Sequence, residues 1–173
     1  MTDMLPTGAP APGTYILDPE RTTIRADVKA MFGVMTVHGT FRLQSGQVSI
    51  AADPGASSVQ ASIAAGSYAS GNTKRDADVV SANLLDAKAY PEITFTGQGA
   101  RRDGDGWVVP GSVTAHGTAV PAEVRLSDVR EEAEGARFLA TARLDRTSFG
   151  VTKKKGMVGQ TVDLVIEAVA QPA

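Results

Sequence analysis

The sequence predicts an all-β protein: an antiparallel barrel of about eight strands with one short helix packed on it. Three observations predict this. Runs of alternating polar and apolar residues recur along most of the chain, which is the period of a half-buried strand. Short turn signals separate them, so neighbouring strands run antiparallel, and the 18 glycines and 9 prolines with few large aromatics suit such a turn-rich chain better than a bundle. Only one stretch, residues 72–95, departs from the strand-and-turn pattern. A large antiparallel sheet with one dry face must close on itself or pack against a second sheet.

The 173 residues suffice for one domain with its own core. Residues 1–13, MTDMLPTGAPAPG, read as a flexible Pro/Gly/Ala tail, and residues 14–173 as a single barrel domain. There is no cysteine, hence no disulfide, thiolate nucleophile or cysteine metal site. A formal charge of −2 gives no global attraction to nucleic acid or to an anionic membrane. No apolar run is long enough to span a bilayer as a helix. The first residues lack the basic start and apolar centre of a secretory signal, so a cytoplasmic location is expected, or one at the inner membrane surface.

Taken in order, residues 14–18 form a short strand that Pro19 interrupts. From Thr23, polar Thr23, Arg25, Asp27 and Lys29 alternate with Ile24, Ala26, Val28 and Ala30. The phase slips near Gly33, which implies a turn or bulge. Met35, Val37, Gly39, Phe41 and Leu43 then carry the dry face. Ser45-Gly46 reads as a hairpin turn and Asp53-Pro54-Gly55 as a second turn. Val59, Ala61, Ile63 and Ala65 alternate with polar neighbours into the helical stretch. Past Pro91, a strand containing Ile93 and Phe95 is followed by a turn at residues 103–106 and a strand opening on Trp107. Dry positions continue as Val120, Ala122, Val124 and Leu126, as Phe138, Ala140, Ala142 and Leu144, and as Val162, Leu164, Ile166 and Ala168.

The helix is expected over residues 73–87. Ala77, Val80, Leu84 and Ala87 recur at spacings of three and four, Thr73 serves as N-cap, and Asp76 and Asp78 suit the positive end of the dipole. Many dry strand positions are small, including Ala26, Gly39, Ala61, Gly97, Gly111 and Ala140. In a closed barrel such residues either leave a cavity for an apolar guest or fit the taper of a packed interior. Periodicity alone leaves both readings open.

Several stretches in one order resemble the YceI family of polyisoprenoid-binding proteins. They are Tyr15-Ile16-Leu17-Asp18-Pro19; Gly39-Thr40-Phe41; Arg75-Asp76, Ser81, Leu84-Leu85-Asp86 and Tyr90-Pro91 with Ile93 and Phe95; Gly111, Val113-Thr114, Gly117 and Pro121; and Arg146-Thr147-Ser148-Phe149-Gly150 with Met157-Val158-Gly159. The resemblance implies an extended lipocalin-like barrel whose hollow interior takes a long isoprenoid or fatty chain. Polar positions depart from the pattern: Arg21-Thr22 stands where members often carry His-Ser, and Ala30 and Asp78 where histidines are common. Before Pro121, Ala119-Val120 replaces the usual threonine and basic residue.

On this reading the protein binds a polyisoprenoid, isoprenoid quinone, or fatty acid or amide as carrier, store or sensor. It is not an enzyme and needs no cofactor beyond a bound isoprenoid or fatty chain. The competing readings are a barrel isomerase or hydrolase acting on a lipid, and a stress-related interaction module with a filled barrel. Partners are the apolar lipid, with no nucleic acid and no stable membrane insertion; a homodimer is compatible, since some members pair. Val28, Phe32, Val37, Phe41, Ile63, Leu84, Phe95 and Phe138 are expected to touch the apolar chain. Lys153, Lys154 and Lys155, with Arg75 and Lys74, read either as solvated charges or as an electropositive lip for an anionic head group.

Little in the sequence supports catalysis. His38 and His116 read as exposed strand residues, with no general-base pattern around them. The pairs Asp76/Asp78 and Asp103/Asp105 read as helix-start and turn residues. No metal site is expected. Arg146 reads as structural, tying loop carbonyls or pairing with Asp18 or Asp86.

Overall fold

The computed structural model describes residues 9–173. The ten strands are β1 (Gly13–Leu17), β2 (Thr23–Ala30), β3 (Met35–Ile50), β4 (Ser58–Ala69), β5 (Glu92–Gln98), β6 (Arg101–Asp103), β7 (Gly106–Ala115), β8 (Thr118–Glu132), β9 (Gly135–Asp145) and β10 (Val158–Pro172). The helix is α1 (Thr73–Val80). All pairings between strands are antiparallel, and β9 pairs with β10 as well as with β8, so the sheet closes. The closed path is β2, β3, β4, β5, β7, β8, β9 and β10, the eight-stranded barrel expected. β1 and β2 share one strand position: β1 lies between β10 and β3 at one end, β2 between the same neighbours along the rest. The break between them is stitched by Thr22, whose buried hydroxyl accepts from Val169 N at 3.1 Å.

Of the stretch expected as a tail, residues 1–8 lie outside the described residues. Pro10 is fully buried, and Tyr15 Oη donates to the Ala11 carbonyl at 2.6 Å, so the packed chain begins earlier than residue 14.

β3 runs unbroken through Ser45-Gly46, which corrects the hairpin expected there. The pairing with β4 shifts register between Leu43 and Ser45, a bulge that moves the dry phase from odd to even positions. Val37, Phe41 and Leu43 face inward before it, Val48 and Ile50 after it. Gly46 leaves room for the inward Leu17 side chain, whose Cδ1 lies 2.4 Å from where a Cβ would stand. The earlier phase slip is a turn: Gly33 N donates to Ala30 O, with Met31 and Phe32 at φ of 51° and 57°.

The helix is shorter than its pattern suggests, and its cap is Asn72, not Thr73. Asn72 Oδ1 accepts from Arg75 N at 3.0 Å, while Asp76 reaches back to Ser70 N and Oγ. At Ser81 the hydroxyl and amide both turn onto the Asp78 carbonyl, and residues 81–89 continue as tight turns. Leu84 therefore lies beyond the helix, though it is buried, and Ala77 is exposed. The inward helical residues are Arg75 and Val79, one turn apart.

Two buried clusters mark the ends of the barrel. One contains Tyr15, Leu17, Leu43, Ile50 and Phe138, near the chain termini. The other contains Leu84, Val113, Ala115, Phe149 and Val151, under the α1 segment.

Candidate functional site

The small dry-face residues have two fates. Gly39 is covered by the Tyr68 ring, and Gly97 and Gly111 lie under Phe95. Elsewhere the space stays open. A cavity of about 200 Å³ at the terminal end is lined by Leu17, Ile50, Pro54, Ala61, Trp107 and Phe138 among others. A second, of about 220 Å³ at the helix end, is lined by Val28, Val37, Phe41, Tyr68, Val79 and Leu84 among others.

Six residues line both cavities: Ile24, Ile63, Ile93, Val113, Leu144 and Leu164. They come from six different strands, β2, β4, β5, β7, β9 and β10, and form an aliphatic waist between the two chambers. Two apolar chambers thus lie end to end, a corridor divided at the waist. The long strands set the height of the barrel: fifteen residues, as in β10, extend roughly 50 Å, or roughly 35–40 Å along the axis at the usual barrel tilt.

The polar groups are not spread evenly. The polar side chains among the residues lining the terminal chamber are Thr22, Ser57, Ser58, Thr94 and Trp107, none of them charged. The helix-end chamber has Lys29, Tyr68, Arg75 and Arg146. Burial pushes the Tyr68 hydroxyl above its ordinary pKa, and the Asp76 carboxylate adds to this. Arg146 is 8% exposed and donates to four carbonyls, those of Gly159, Val151, Lys153 and Val158, at 2.8–2.9 Å. Burial lowers its pKa, partly offset by Asp145. The expectation that it ties loop carbonyls holds; no carboxylate of Asp18 or Asp86 pairs with it among the described residues.

The expected chain-contacting residues are mostly brought together. Val28, Val37, Phe41 and Leu84 line the helix-end chamber, Phe95 and Phe138 the terminal one, and Ile63 both. Phe32 does not belong with them: it is 80% exposed on the β2–β3 turn. Its left-handed backbone turns the side chain out of the strand phase, over Gly156. Arg75 stands in the wall; Lys74 and the three lysines do not. Lys154 pairs with Asp78 at 3.7 Å, and Arg146 donates to carbonyls of the loop that bears the lysines. Sequence reasoning passed over Tyr68, Val79, Leu85 and Phe149, which line the same chamber. Tyr68 has a findable signal, since it lies near the end of the β4 run; Val79 is on α1 one turn after Arg75, and Leu85 and Phe149 lie on turns without strand periodicity.

The candidates for chemistry are occupied structurally. His38 Nδ1 meets Asp27 Oδ1 at 2.6 Å on the outer face, where Arg25 binds the same carboxylate. His116 is half-buried in the β7–β8 turn, with Nδ1 3.2 Å from the Phe149 carbonyl and its ring against Tyr90, which corrects the exposed strand position expected for it. Asp103 pairs with Arg125, and Asp78 with Asn83 and Lys154. No group of three or more metal-ligating side chains occurs among the described residues. No helix among them is long and apolar enough to cross a membrane.

The chain matches the model of the YceI-like domain over residues 15–170. It is 32% identical to a UPF0312 protein of Pseudomonas putida, covering 95% of this chain and 90% of that one. It is 29% identical to the protein YceI of Escherichia coli over 78% of this chain and 73% of that one. Among solved structures, BcnA of Burkholderia cenocepacia superposes with a TM-score of 0.79 at 22% identity, covering 88% of this chain and 98% of its own. A polyisoprenoid-binding domain from Saccharophagus degradans superposes with a TM-score of 0.68 at 15% identity, covering 94% and 100%. At these identities the structural likeness concerns the fold.

Proposed function

This chain belongs to the YceI-like domain family, and from that membership and its hollow interior we propose that it binds one long-chain apolar lipid along the barrel axis, as a carrier, store or sensor. The ligand class is a polyisoprenoid, an isoprenoid quinone, or a fatty acid or amide. The observation that carries this reading is the pair of chambers with almost wholly apolar walls that share one aliphatic waist. The structural neighbour described as polyisoprenoid-binding supports it. Burying each methylene of a chain is worth about 0.8 kcal/mol, so a long tail binds with few polar contacts.

The uneven polar lining orients the ligand. The tail passes the waist into the terminal chamber against Phe95 and Phe138, and a polar head stays at the helix end near Arg75 and Tyr68. Arg75 sits where a guanidinium can meet a carboxylate or phosphate in the chamber. The protein holds the lipid without turning it over, since the titratable groups of the chamber are occupied by structural partners or stand alone in an apolar wall.

Trp107 is the single tryptophan and lines the terminal chamber, so its emission reports arrival of a tail there. Titration of delipidated protein with a long-chain polyprenol or fatty acid should give a saturable change in emission, and the lipid recovered afterwards should be chemically unchanged. No saturable change with either lipid class would reject binding in this corridor; conversion of the lipid would favour the enzyme.

A further inference from the structure

We propose that the helix end of the barrel docks on the surface of an anionic lipid bilayer, with Phe32 and Val34 as the residues that enter the interface. The β2–β3 turn and the loop before β10 form a single tip, joined by backbone bonds from Met31 N to Met157 O and from Phe32 N to Gly156 O. On it Phe32 is 80% exposed, Val34 84%, and Met31 and Met157 49% each. Such an apolar cluster on a surface marks an interaction site.

The backbone adds an independent argument. Met31 and Phe32 both have positive φ, and the bond from Gly33 N to Ala30 O closes a turn of the type that favours Asn-Gly. A bulky side chain in that conformation is strained. The turn nonetheless carries two large apolar residues, pointed at solvent, where polar or glycine residues would fold with less cost.

Charge identifies the occupant. The tip is rimmed by exposed Lys29, Lys153, Lys154 and Lys155. Only Lys154 has an ion-pair partner among the described residues, Asp78. On a chain of net charge −2 this is a local surplus, not a property of the whole surface. Apolar residues that enter the headgroup region, flanked by lysines, are the elements of attachment to anionic lipid. A second copy of the chain fits less well. Paired tips would oppose lysines to lysines, and four apolar side chains are far fewer than the roughly 20–30 residues a side of a stable protein interface. The tip also continues into the corridor, because Lys29, Ala30, Met157 and Val158 line the helix-end chamber. Docking would therefore seat that chamber against the bilayer.

The test is co-sedimentation of the full chain with vesicles of phosphatidylcholine alone and with added phosphatidylglycerol. Binding is expected to the mixed vesicles, weaker at high salt, and little to phosphatidylcholine alone. A Phe32→Ser/Val34→Ser double variant and a separate Lys153→Ala/Lys154→Ala/Lys155→Ala variant should each lower the partition coefficient by at least about tenfold. Both sets of side chains are exposed, and circular dichroism should show an unchanged fold. The proposal is overturned if the intact chain binds neither vesicle, if the double serine variant binds as well as the intact chain, or if sedimentation velocity shows a Phe32-dependent dimer in place of vesicle binding. The assay needs no ligand in the barrel, so its outcome is separate from that of the lipid-binding reading.

Discussion

Arg146 shows how one side chain organises the helix end. Its guanidinium is buried and meets four loop carbonyls, so the cation is neutralised by dipoles rather than by a carboxylate. Arg146→Met keeps much of the stem but releases the loop, and should cost about 2–4 kcal/mol in chemical denaturation. Arg146→Lys should recover less than half of that loss, because an ammonium cannot span four carbonyls. Asp27 gives a pH signature. Partial burial raises its pKa, but hydrogen bonds from Arg25 and His38 outweigh this and hold the carboxyl below 3.8. A depressed carboxylate contributes stability above its unfolded value and loses it as pH falls through the folded one. The stability gap between the intact chain and Asp27→Asn should therefore persist at neutral pH and close below about pH 3.8. The structural part of Arg146 was legible from its place at a strand end. Phe32 was misassigned because strand phase says nothing once two consecutive residues adopt positive φ.

Strand phase placed most of the wall correctly, because a side-chain period of two needs only the sequence. It failed where the backbone changed without punctuation. Ser45-Gly46 looks like a turn, yet the glycine serves the close approach of Leu17 across a bulge inside a sixteen-residue strand. The α1 segment failed differently. Its three-four spacing continues past Val80, but Ser81 caps the helix and the later apolar residues are buried from turns. Glycines at the β5–β7 contact make a sharper prediction. Gly97 and Gly111 face each other across the pair, and a Cβ on Gly111 would lie 2.2 Å from the Thr96 carbonyl oxygen and 2.9 Å from Phe95. Backbone must move to admit it, so Gly111→Ala should destabilise the barrel by about 1–3 kcal/mol, read as a lowered Tm. An unchanged Tm would show that this contact is looser than described.

The barrel as a whole combines a closed sheet, which leaves no long edge, with an interior that its own side chains do not fill. Closure and strand number were legible from alternation and turn spacing. Hollowness was not, because small inward residues serve both outcomes: Gly39 makes room for Tyr68, while Ala61 borders open space. Ala61→Trp separates a hollow from a filled interior. The ring should be tolerated, with Tm close to that of the parent, and lipid uptake should fall; a packed core would instead lose about 1–3 kcal/mol. The most direct measurement is native mass spectrometry of gently purified protein, before and after organic extraction and again after incubation with a long-chain lipid. The corridor account predicts added mass of one lipid that extraction removes and incubation restores. The bare chain mass at all three stages, across isoprenoid and fatty-chain lipids, would contradict it.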